Sequence, residues 1–446
     1  MAEGAADDAE RDPRDQEEEL REMLRQIMSG EGGIDPSKLV GLPGLPGDAA
    51  GISRLISQFQ GALANAGDGI NWKLATDQAV EFAKQTSFTP TDQQRGDLDQ
   101  AINVAGLWLD ESTVISQLVE PAKLMTRVEW IQQTMPFWSQ LAEPVATGIS
   151  DVLTRLLREQ APEELSEMGG MFQDASRLVK GVGGTLFAFQ LGQVVGQLSS
   201  EVVSGGDVGI PLLEERAALL PQNLGSFGEG LDIPQDQIAL YLAVRELAHA
   251  RLFKHARWLR LQLITSITEF ARGISIDTSA VESLVQSFDP SNPEELQAAL
   301  TRGDLIMPKS EQQLAALARL ETMLALVEGW VDVVTAHATA RLPRSDAIGE
   351  SVRRRRATGG PAESAFATLV GLELRPRRLR EAARMWQIVT DTMGADKRDE
   401  LWSHPDLLPT AADIDDPEAL VRRLQGEGGD GDDMDQALEE LLRDPE

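Results

Sequence analysis

The sequence predicts a mainly α-helical protein with at most a few short strands and a disordered acidic tail at each end. Apolar residues recur at intervals of three and four over most of the chain, as at Ile52, Leu55 and Phe59, which is the helical period. Alternation with a period of two is scarce, and only segments near 207–214 and 217–220 have the pattern of short strands. With 446 residues the chain is long enough to bury a large core.

Acidic residues dominate both ends of the chain. Residues 1–20 contain nine acidic residues and two arginines, and residues 427–446 contain nine acidic residues and one arginine. These segments carry about half of the formal net charge of −31, and their composition is typical of segments that do not fold. A charge this negative argues against a nucleic-acid or anionic-lipid partner, since both require a positive surface.

The composition divides the chain into three regions. We predict a mobile Gly/Pro-rich extension over residues 1–50, a helical domain over 51–425 and an acidic tail over 426–446. The domain has a helical part at about 51–205 and a part that carries the motifs described below at about 206–425. The segments with helical periodicity are 71–86, 91–111, 123–134, 145–158, 174–203, 234–254, 257–272, 311–340, 362–370 and 376–393.

Neither a secretory signal nor a membrane span is predicted. The N-terminus lacks a positive charge followed by an apolar run, so we expect a cytoplasmic protein. The longest uncharged stretch, Gly181 to Ser200, is long enough to cross a bilayer, but it contains five glycines and three glutamines. We interpret it as a buried helix in which Gly192 and Gly196 allow close packing.

Histidine and cysteine content restricts the chemistry of any metal site. The chain contains no cysteine, which fits a reducing compartment and leaves histidine and carboxylate side chains as metal ligands. The four histidines are His249, His255, His337 and His404. His255 and His337 are out of phase with the motif residues on their helices, and His404 precedes a proline in an expected loop, so we expect none of these three to be a ligand.

One helical segment carries a metalloprotease-like pattern. The run Arg245-Glu246-Leu247-Ala248-His249 is the zincin pattern HExxH with arginine in place of the first histidine. In the intact pattern, two histidines four residues apart lie on one face of a helix and bind Zn²⁺, and the glutamate activates the metal-bound water. On its own, ExxH is a weak signal.

A second segment supports the first. Glu328 and Asp332 lie four residues apart in an otherwise apolar run beside Trp330. The pair resembles the ExxxD element of thermolysin-like zincins, in which the glutamate is the third zinc ligand and the aspartate supports the first histidine. Such a pair usually lies on a solvated helix face, but the apolar surroundings indicate burial, which requires compensating partners.

The chain as a whole resembles the zincin-like metallopeptidase type 2 family of actinobacterial proteins. The resemblance extends from about residue 70 to 425 and is carried, in order, by GLWLDEST (106–113), TRVEWIQQTMPFWSQLAEP (126–144), DVGIPLL (207–213), RELAHARLFKHARWLR (245–260), VEGWVDVV (327–334), LVGLELRPRRLREA (369–382) and LW…LLPT (401–410). It implies the family fold, a possible hydrolase ancestry and zinc as a possible cofactor.

The resemblance assigns roles by position. It implies that Glu246 is the general base, that His249 and Glu328 are zinc ligands, and that Asp332 supports the missing ligand. Arg245 departs from the pattern, because a guanidinium stays protonated and has no lone pair for a metal. Two protein ligands rarely hold catalytic zinc, so the resemblance leaves the cofactor in question.

We hypothesise that Arg245 replaces zinc structurally. Without a metal, Glu246, Glu328 and Asp332 would be buried carboxylates without compensation, which is costly. Arg245 supplies a positive charge in the place of the metal, and we expect it to pair with Asp332 or Glu328. Tyr241, one turn earlier on the same face, is an accessory candidate as an oxyanion donor, although core packing is its more common role.

Arginines concentrate in the C-terminal half, above all at Arg353–Arg356. They are interpreted either as an anion-binding patch or, as we favour, as a solvated face or partners for acids of this protein, because no aromatic residues interleave with them. We also hypothesise that the acidic tails dock on them transiently.

Three functions compete. The first is a non-hydrolytic binding or scaffold protein for an unknown protein or peptide. The second is a zinc-dependent metallopeptidase with a non-standard ligand set of His249, Glu328 and another group. The third is a structural helical module with chance motifs, which predicts that Glu246 and Glu328 lie far apart.

Overall fold

The structure is a computed structural model that describes residues 70–426 with internal gaps. The gaps are 86, 161–168, 214–215, 275–278, 280–306, 358–360 and 373–376. The predicted N-terminal extension, the first residues of the predicted helical domain and, apart from Gly426, the predicted acidic tail lie outside the described residues.

Thirteen α-helices and two short strands form the regular structure of the described ranges. The helices are α1 (Trp72–Gln85), α2 (Asp92–Asp110), α3 (Arg127–Gln160), α4 (Gly169–Glu201), α5 (Pro221–Gly228), α6 (Gln235–His255), α7 (Arg257–Arg272), α8 (Glu311–Ala338), α9 (Ser345–Ala357), α10 (Pro361–Val370), α11 (Leu379–Glu400), α12 (Ala411–Asp415) and α13 (Pro417–Leu424). The strands are β1 (Lys123–Leu124) and β2 (Ala218–Leu219).

The predicted mainly helical fold is confirmed. The structure differs from the prediction at one short strand and at one helix, where the sequence pattern is weak. Strand β2 lies inside the predicted strand at 217–220 and pairs in parallel with β1. The other predicted strand is wrong: residues 207–213 form a turn followed by bends, and Gly209 adopts a φ of +81° there. Helix α9 was not predicted, because only Ile348 and Val352 give its highly charged sequence an apolar face.

Helix α3 joins two segments that were predicted as separate helices. Pro136 and Pro144 lie inside it, and a proline normally ends or kinks a helix because it lacks an N–H donor. The helix continues through both prolines while Trp130 and Trp138 are fully buried in the core. Tertiary packing therefore outweighs the local preference of the prolines for a break.

Helices α1, α3 and α4 pack against one another in the N-terminal part of the described chain. The predicted close approach at Gly192 and Gly196 is confirmed, because a Cβ atom at Gly192 would lie 2.7 Å from the Ala75 carbonyl oxygen and one at Gly196 would lie 3.0 Å from Phe82. One face of the uncharged stretch is therefore covered by α1, while Gln193 and Gln197 are exposed. No described helix is long and apolar enough to cross a membrane.

Helix α8 is the central element of the motif-bearing part, where it packs against α6 and α11. Gly329 lets it approach α11 closely, since a Cβ atom there would lie 2.7 Å from the backbone nitrogen of Ala383. The neighbouring Trp330 is fully buried and donates its indole N–H to Asp399 at 2.9 Å. Asp399 is also paired with the buried Arg398 at 2.7 Å, so the position of α8 is fixed by packing and by a satisfied polar network.

We predict that Gly192→Ala destabilises the protein by about 1–3 kcal/mol, because the added methyl group forces α1 and α4 apart. Urea-induced unfolding would measure this change. Gly96→Ala in α2 is the matched control: nothing lies within 4 Å of its Cβ position, so alanine should be neutral or slightly stabilising. Equal effects of the two substitutions would contradict the close packing at Gly192.

Candidate functional site

Helix α6 places the segment Arg245–His249 inside the protein. Arg245, Glu246 and His249 expose only 9%, 3% and 4% of their surfaces, and Tyr241, one turn earlier, is also buried. Buried charged groups require partners, because water no longer solvates them. The contacts of these side chains therefore define what the site can do.

Helix α8 brings Glu328 to the motif. The Glu328 carboxylate is only 1% exposed, and its Oε2 accepts a hydrogen bond from Nη2 of Arg245. The two segments are thus in direct contact, although 83 positions separate these residues. This contact argues against a helical module with chance motifs, which predicted that the segments lie apart.

A second arginine binds the same carboxylate. Arg356 in α9 donates from Nη2 to Glu328 Oε1 at 2.8 Å and to the carbonyl oxygen of Gly206 at 3.3 Å. Burial alone would raise the pKa of Glu328, but the charges of Arg356 and Arg245 outweigh it and lower the pKa. Glu328 is therefore held as a carboxylate with both oxygens bonded to guanidinium groups.

Asp332 has a different arginine partner. Arg353 in α9 donates to its two carboxylate oxygens at 3.2 and 3.1 Å, whereas Arg245 donates to Glu328. Burial raises the pKa of Asp332 despite the opposing charge of Arg353. Arg245 was expected to pair with Asp332 or Glu328, and in the structure it contacts Glu328.

Glu246 is held by backbone N–H groups. Its Oε2 accepts from Gly206 and its Oε1 from Ala218 in β2, each at 2.8 Å. Burial raises the pKa of Glu246 to about 7, although these backbone hydrogen bonds act in the opposite direction. A carboxyl group with this pKa exchanges its proton near neutral pH, as a general base must.

His249 lies beside Glu246 with a free coordinating atom. Its buried Nε2 has no hydrogen-bond partner, and its ring packs against Phe253 with the centroids 4.8 Å apart. Burial lowers the pKa of His249 to about 4, so the imidazole is neutral at physiological pH. The side chains of Glu246 and His249 line a cavity of about 20 Å³, which is large enough for a single water molecule.

A glycine-containing turn covers this side of the site. A Cβ atom at Gly206 would lie 2.5 Å from His249 Nδ1 and 2.9 Å from Glu246 Oε2. Gly209 has a positive φ, and a Cβ atom there would lie 3.3 Å from Glu328 Oε1. The turn needs glycine at both positions in order to reach Glu246, His249 and Glu328.

The other residues that the sequence suggested for the site do not contribute to the group of Arg245, Glu246, His249 and Glu328. Tyr241 packs in a cluster with Ile348 and Val352, and burial raises its pKa to about 12, which suits a core residue better than a proton donor. His255 and His337 are exposed, and His404 caps the 3-10 helix that follows it. Sequence reasoning missed Arg353 and Arg356 as site residues, because a run of arginines does not reveal which acids it contacts.

Many arginines of the C-terminal concentration are partners of acids in this chain. Besides Arg353 and Arg356, ion pairs join Arg355 to Asp207 at 3.1 Å and, elsewhere on the surface, Arg341 to Glu111, Arg377 to Glu321, Arg378 to Asp415 and Arg380 to Glu350. This is the interpretation favoured from the sequence over an anion-binding patch. The acidic tails, which were expected to dock on these arginines, lie outside the described residues.

The donor atoms, as arranged, do not fit a zinc ion. Both oxygens of Glu328 are bonded to guanidinium groups, and Arg245 stands where the motif needs its first histidine. Only the Nε2 of His249 is a ready ligand, whereas a catalytic zinc site uses three protein ligands. In the part of the chain that the structure describes, no three histidine, aspartate or glutamate side chains form a group able to hold a metal.

Comparison with known proteins gives one family and one fold. The profile of a family described as zincin-like metallopeptidase matches residues 70–421. A crystal structure from Chloroflexus aurantiacus, of a protein described as a candidate hydrolase with a novel fold, is similar with a TM-score of 0.54. At 18% identity it covers 80% of this chain and 100% of its own, which shows a shared fold. No curated protein matches the chain.

We predict that Glu328→Gln destabilises the protein by about 3–5 kcal/mol, because it leaves the buried guanidinium groups of Arg245 and Arg356 without their counter-ion. Unfolding in urea would measure the loss. Glu350→Gln is the matched control, since Glu350 also pairs with two arginines, Arg353 and Arg380, but is exposed to solvent. Similar stabilities of the two variants would refute the importance of the buried pair.

Glu246→Gln should change how stability depends on pH. Because the pKa of Glu246 is raised from 4.5 to about 7 by folding, its stabilising contribution is complete below pH 4.5 and is lost as the pH rises toward 7. Relative to the glutamine variant, the wild type should lose about 3 kcal/mol over this range.

Unfolding curves over a pH series would test this difference. His249 is present in both proteins, so its own titration cancels from the comparison. Glu143→Gln, which changes an exposed carboxylate in α3, controls for the substitution itself. Parallel profiles of wild type and Glu246→Gln would show that Glu246 does not titrate as described.

Proposed function

We propose that this chain, which belongs to the zincin-like metallopeptidase family, is a non-hydrolytic member in which arginines replace zinc and which binds a protein or peptide. One observation carries the proposal: both oxygens of Glu328 are bonded to Arg245 and Arg356. The carboxylate assigned by resemblance to the metal is therefore already neutralised.

The charges of zinc and of the two arginines support the proposal that the arginines replace the metal. A zinc ion brings two positive charges, and Arg245 and Arg356 together bring the same number to Glu328. A guanidinium compensates a buried carboxylate, but it does not bind water as a Lewis acid and so generates no hydroxide at neutral pH. The exchange thus preserves the stability of the site and removes its means of hydrolysis.

A groove beside the site supports binding of an extended partner. Helices α3 and α7 supply half of the lining residues of this groove, which has a volume of about 1180 Å³ and which we call the α3/α7 groove. It shares Pro211, Leu213, Arg216 and Phe253 with the small cavity at Glu246 and His249. A groove of this size accommodates several residues of a peptide next to the former catalytic helix.

A working metallopeptidase with an unusual ligand set is the second candidate. Two observations favour it: Nε2 of His249 is buried without a partner, and the pKa of Glu246 is about 7. Such an enzyme would coordinate zinc through His249, Glu328 and a third group, and Glu246 would be its general base. It would first have to displace at least one arginine from Glu328.

Metal content and proteolysis separate the two candidates. We predict that wild type purified without metal takes up no stoichiometric zinc and cleaves casein no faster than Glu246→Gln does in the presence of zinc. Elemental analysis after dialysis and a fluorescent casein assay provide the measurements. One tightly bound zinc per chain, with cleavage lost in Glu246→Gln, would establish the enzyme instead.

Tight zinc binding should require replacement of both arginines. Arg245→His supplies the missing imidazole, but Arg356 still bonds Glu328, and one unit charge at about 4 Å is worth roughly 4 kcal/mol at an effective dielectric constant of 20. We therefore predict that Arg245→His with Arg356→Gln binds zinc at least about tenfold more tightly than Arg245→His alone. Calorimetric titration with zinc would measure both affinities.

Arg356→Gln alone is the matched control for this titration. It removes the same guanidinium but keeps Arg245 in the position of the first ligand, so it should bind no zinc. Equal zinc affinities of the single variant Arg245→His and the double variant would show that Arg356 does not oppose the metal.

A further inference from the structure

We infer that a second groove, between helices α2 and α6, binds an amphipathic helix of a partner protein that carries basic residues at one end. We call it the α2/α6 groove; it is lined by α2, α5, the first turns of α6 and Phe88. None of its described lining residues belongs to the α3/α7 groove. It is therefore an additional surface, and binding to it does not depend on whether the protein takes up zinc.

The dimensions of the α2/α6 groove suit a helix. Its volume is about 580 Å³, which is within the range of clefts that bind ligands. On α2 the lining extends from Gln94 to Val104, which corresponds to about 15 Å along the helix axis. The short side chains of Ala101 in α2 and Ala239 in α6 let a partner helix approach closely. Roughly three turns of a partner helix therefore fit along the groove.

Apolar side chains form the floor and one edge of the groove. Leu98 and Leu224 are buried in the floor and belong to the apolar cluster that also contains Tyr241 and, from α9, Val352. Phe88 at the edge is 52% exposed, although it is a large aromatic residue. Exposed apolar surface with a polar rim is typical of a protein-binding site. The apolar face of a partner helix would extend this cluster outward.

The backbone that carries Phe88 is held in place. Gln222 in α5 donates from its side-chain amide to the carbonyl oxygen of Phe88, which ties the segment between α1 and α2 to α5. Aromatic anchors contribute much of the affinity of protein interfaces. An anchor on a fixed backbone loses less conformational freedom on binding. Phe88 therefore has the properties of an anchor for an apolar side chain of the partner.

Aspartates are the only charged residues in the described lining of the groove. Asp97 and Asp236 are both exposed, and among the described residues neither pairs with a basic side chain. Asp97 accepts a hydrogen bond from the side-chain amide of Gln93 at 2.7 Å, which does not neutralise the carboxylate. The negative charge of the groove is therefore available to a partner.

Both carboxylates lie toward one end of the groove. Arg251 in the C-terminal half of α6 donates to Asp110 at 2.7 Å and to the carbonyl oxygen of Gly106 at 3.3 Å, and both acceptors lie in the C-terminal part of α2. The two helices therefore run in the same direction, and the groove lies along their N-terminal parts. Asp97 lies in the second turn of α2 and Asp236 in the first turn of α6. A partner with lysine or arginine at one end would therefore bind in one orientation.

The charge of the chain favours a basic partner over other occupants of an apolar groove. The formal net charge is −31, so a second copy of the chain would bring further acidic groups toward Asp97 and Asp236. Nucleic acids and anionic membranes are repelled for the same reason. A helix with apolar side chains at intervals of three and four and a basic residue at one end complements both the floor and the aspartates.

Matched peptides test the chemistry of the partner on the full chain. The probes are two fluorescein-labelled helical peptides of about 18 residues with the same leucines at helical spacing, one with lysines at one end and one with glutamates in their place. Fluorescence anisotropy should show that the lysine peptide binds at least about tenfold more tightly. Salt should reduce this difference. Equal affinities, or no binding of the lysine peptide, would overturn the inference.

Charge variants separate the groove from the general acidity of the chain. Asp97→Lys/Asp236→Asn should weaken binding of the lysine peptide at least about fivefold. Glu81→Lys/Glu143→Gln, which changes the net charge by the same amount at exposed positions of α1 and α3, should leave the affinity unchanged. Equal losses in the two double variants would show that the peptide responds to net charge alone and would sink the inference.

An apolar variant tests the anchor. Phe88→Ser should weaken binding at least about tenfold, as expected for an aromatic anchor. Leu314→Ser, which removes an exposed leucine of α8 outside the groove, is the matched control and should have no effect. An unchanged affinity of Phe88→Ser, in a protein that melts like the wild type, would refute the role of the groove.

A single label locates the bound peptide, because the chain has no cysteine of its own. An environment-sensitive dye on Gln100→Cys, in the α2/α6 groove, should change its emission when the lysine peptide binds, whereas the same dye on Leu261→Cys, in the α3/α7 groove, should not. A change at Leu261→Cys alone would overturn the inference. So would emission from Gln100→Cys that depends on protein concentration without peptide, since a second copy would then occupy the groove. None of these readouts involves zinc or hydrolysis, so their failure leaves the proposed replacement of zinc by arginines untouched.

Discussion

The motif-bearing part of the structure depends on one buried carboxylate. Glu328 is almost completely shielded from water, and such a group remains ionised only where opposite charges replace its hydration. Arg245 from α6 and Arg356 from α9 supply these charges at separate oxygens. The consecutive helices α8 and α9 are therefore linked at one side chain to α6, which is distant in sequence, and loss of either guanidinium would leave part of the charge uncompensated.

Helix α9 forms one wall of this network. Its arginines contact three different carboxylates: Arg353 binds Asp332, Arg355 binds Asp207, and Arg356 binds Glu328. These acids belong to α8 and to the glycine-containing turn after α4. A sequence with few apolar residues thereby forms a helix in a defined position, because its long-range ion pairs compensate for the small apolar face that it buries.

Much of the fold and part of the site were predictable from the sequence. The helical period identified most long helices. It also predicted that Arg245, Glu246 and His249 lie on the same side of α6. Pro136 and Pro144 misled the prediction, because their local preference is visible in the sequence while the packing that overrides it is not. Short-range patterns thus predict where helices occur better than they predict whether two helical segments join into one helix.

The partners that the sequence did not reveal share a physical cause. Arg356 lies in a run of four arginines, and nothing local distinguishes it from Arg354, so its contact with Glu328 follows only from the assembled fold. Glu246 is held by backbone N–H groups of Gly206 and Ala218, and backbone donors have no side-chain signature. Sequence therefore identified Glu246, Glu328, Asp332 and one compensating group, Arg245, but not the α9 arginines or the backbone donors.

Arg245 belongs to a cluster of buried and half-buried charges that largely compensate one another. Four guanidinium groups, from Arg245 and the α9 arginines at 353, 355 and 356, face the carboxylates of Asp207, Glu328 and Asp332. These seven side chains together carry one excess positive charge, which an ionised Glu246 offsets, while Glu350 adds a further carboxylate at the solvent-exposed side of Arg353. Because the pKa of Glu246 is about 7, this side chain exchanges between the protonated and the ionised state near neutral pH. Burial favours the neutral acid, its backbone N–H donors favour the anion, and neither form leaves a large uncompensated charge in the protein interior.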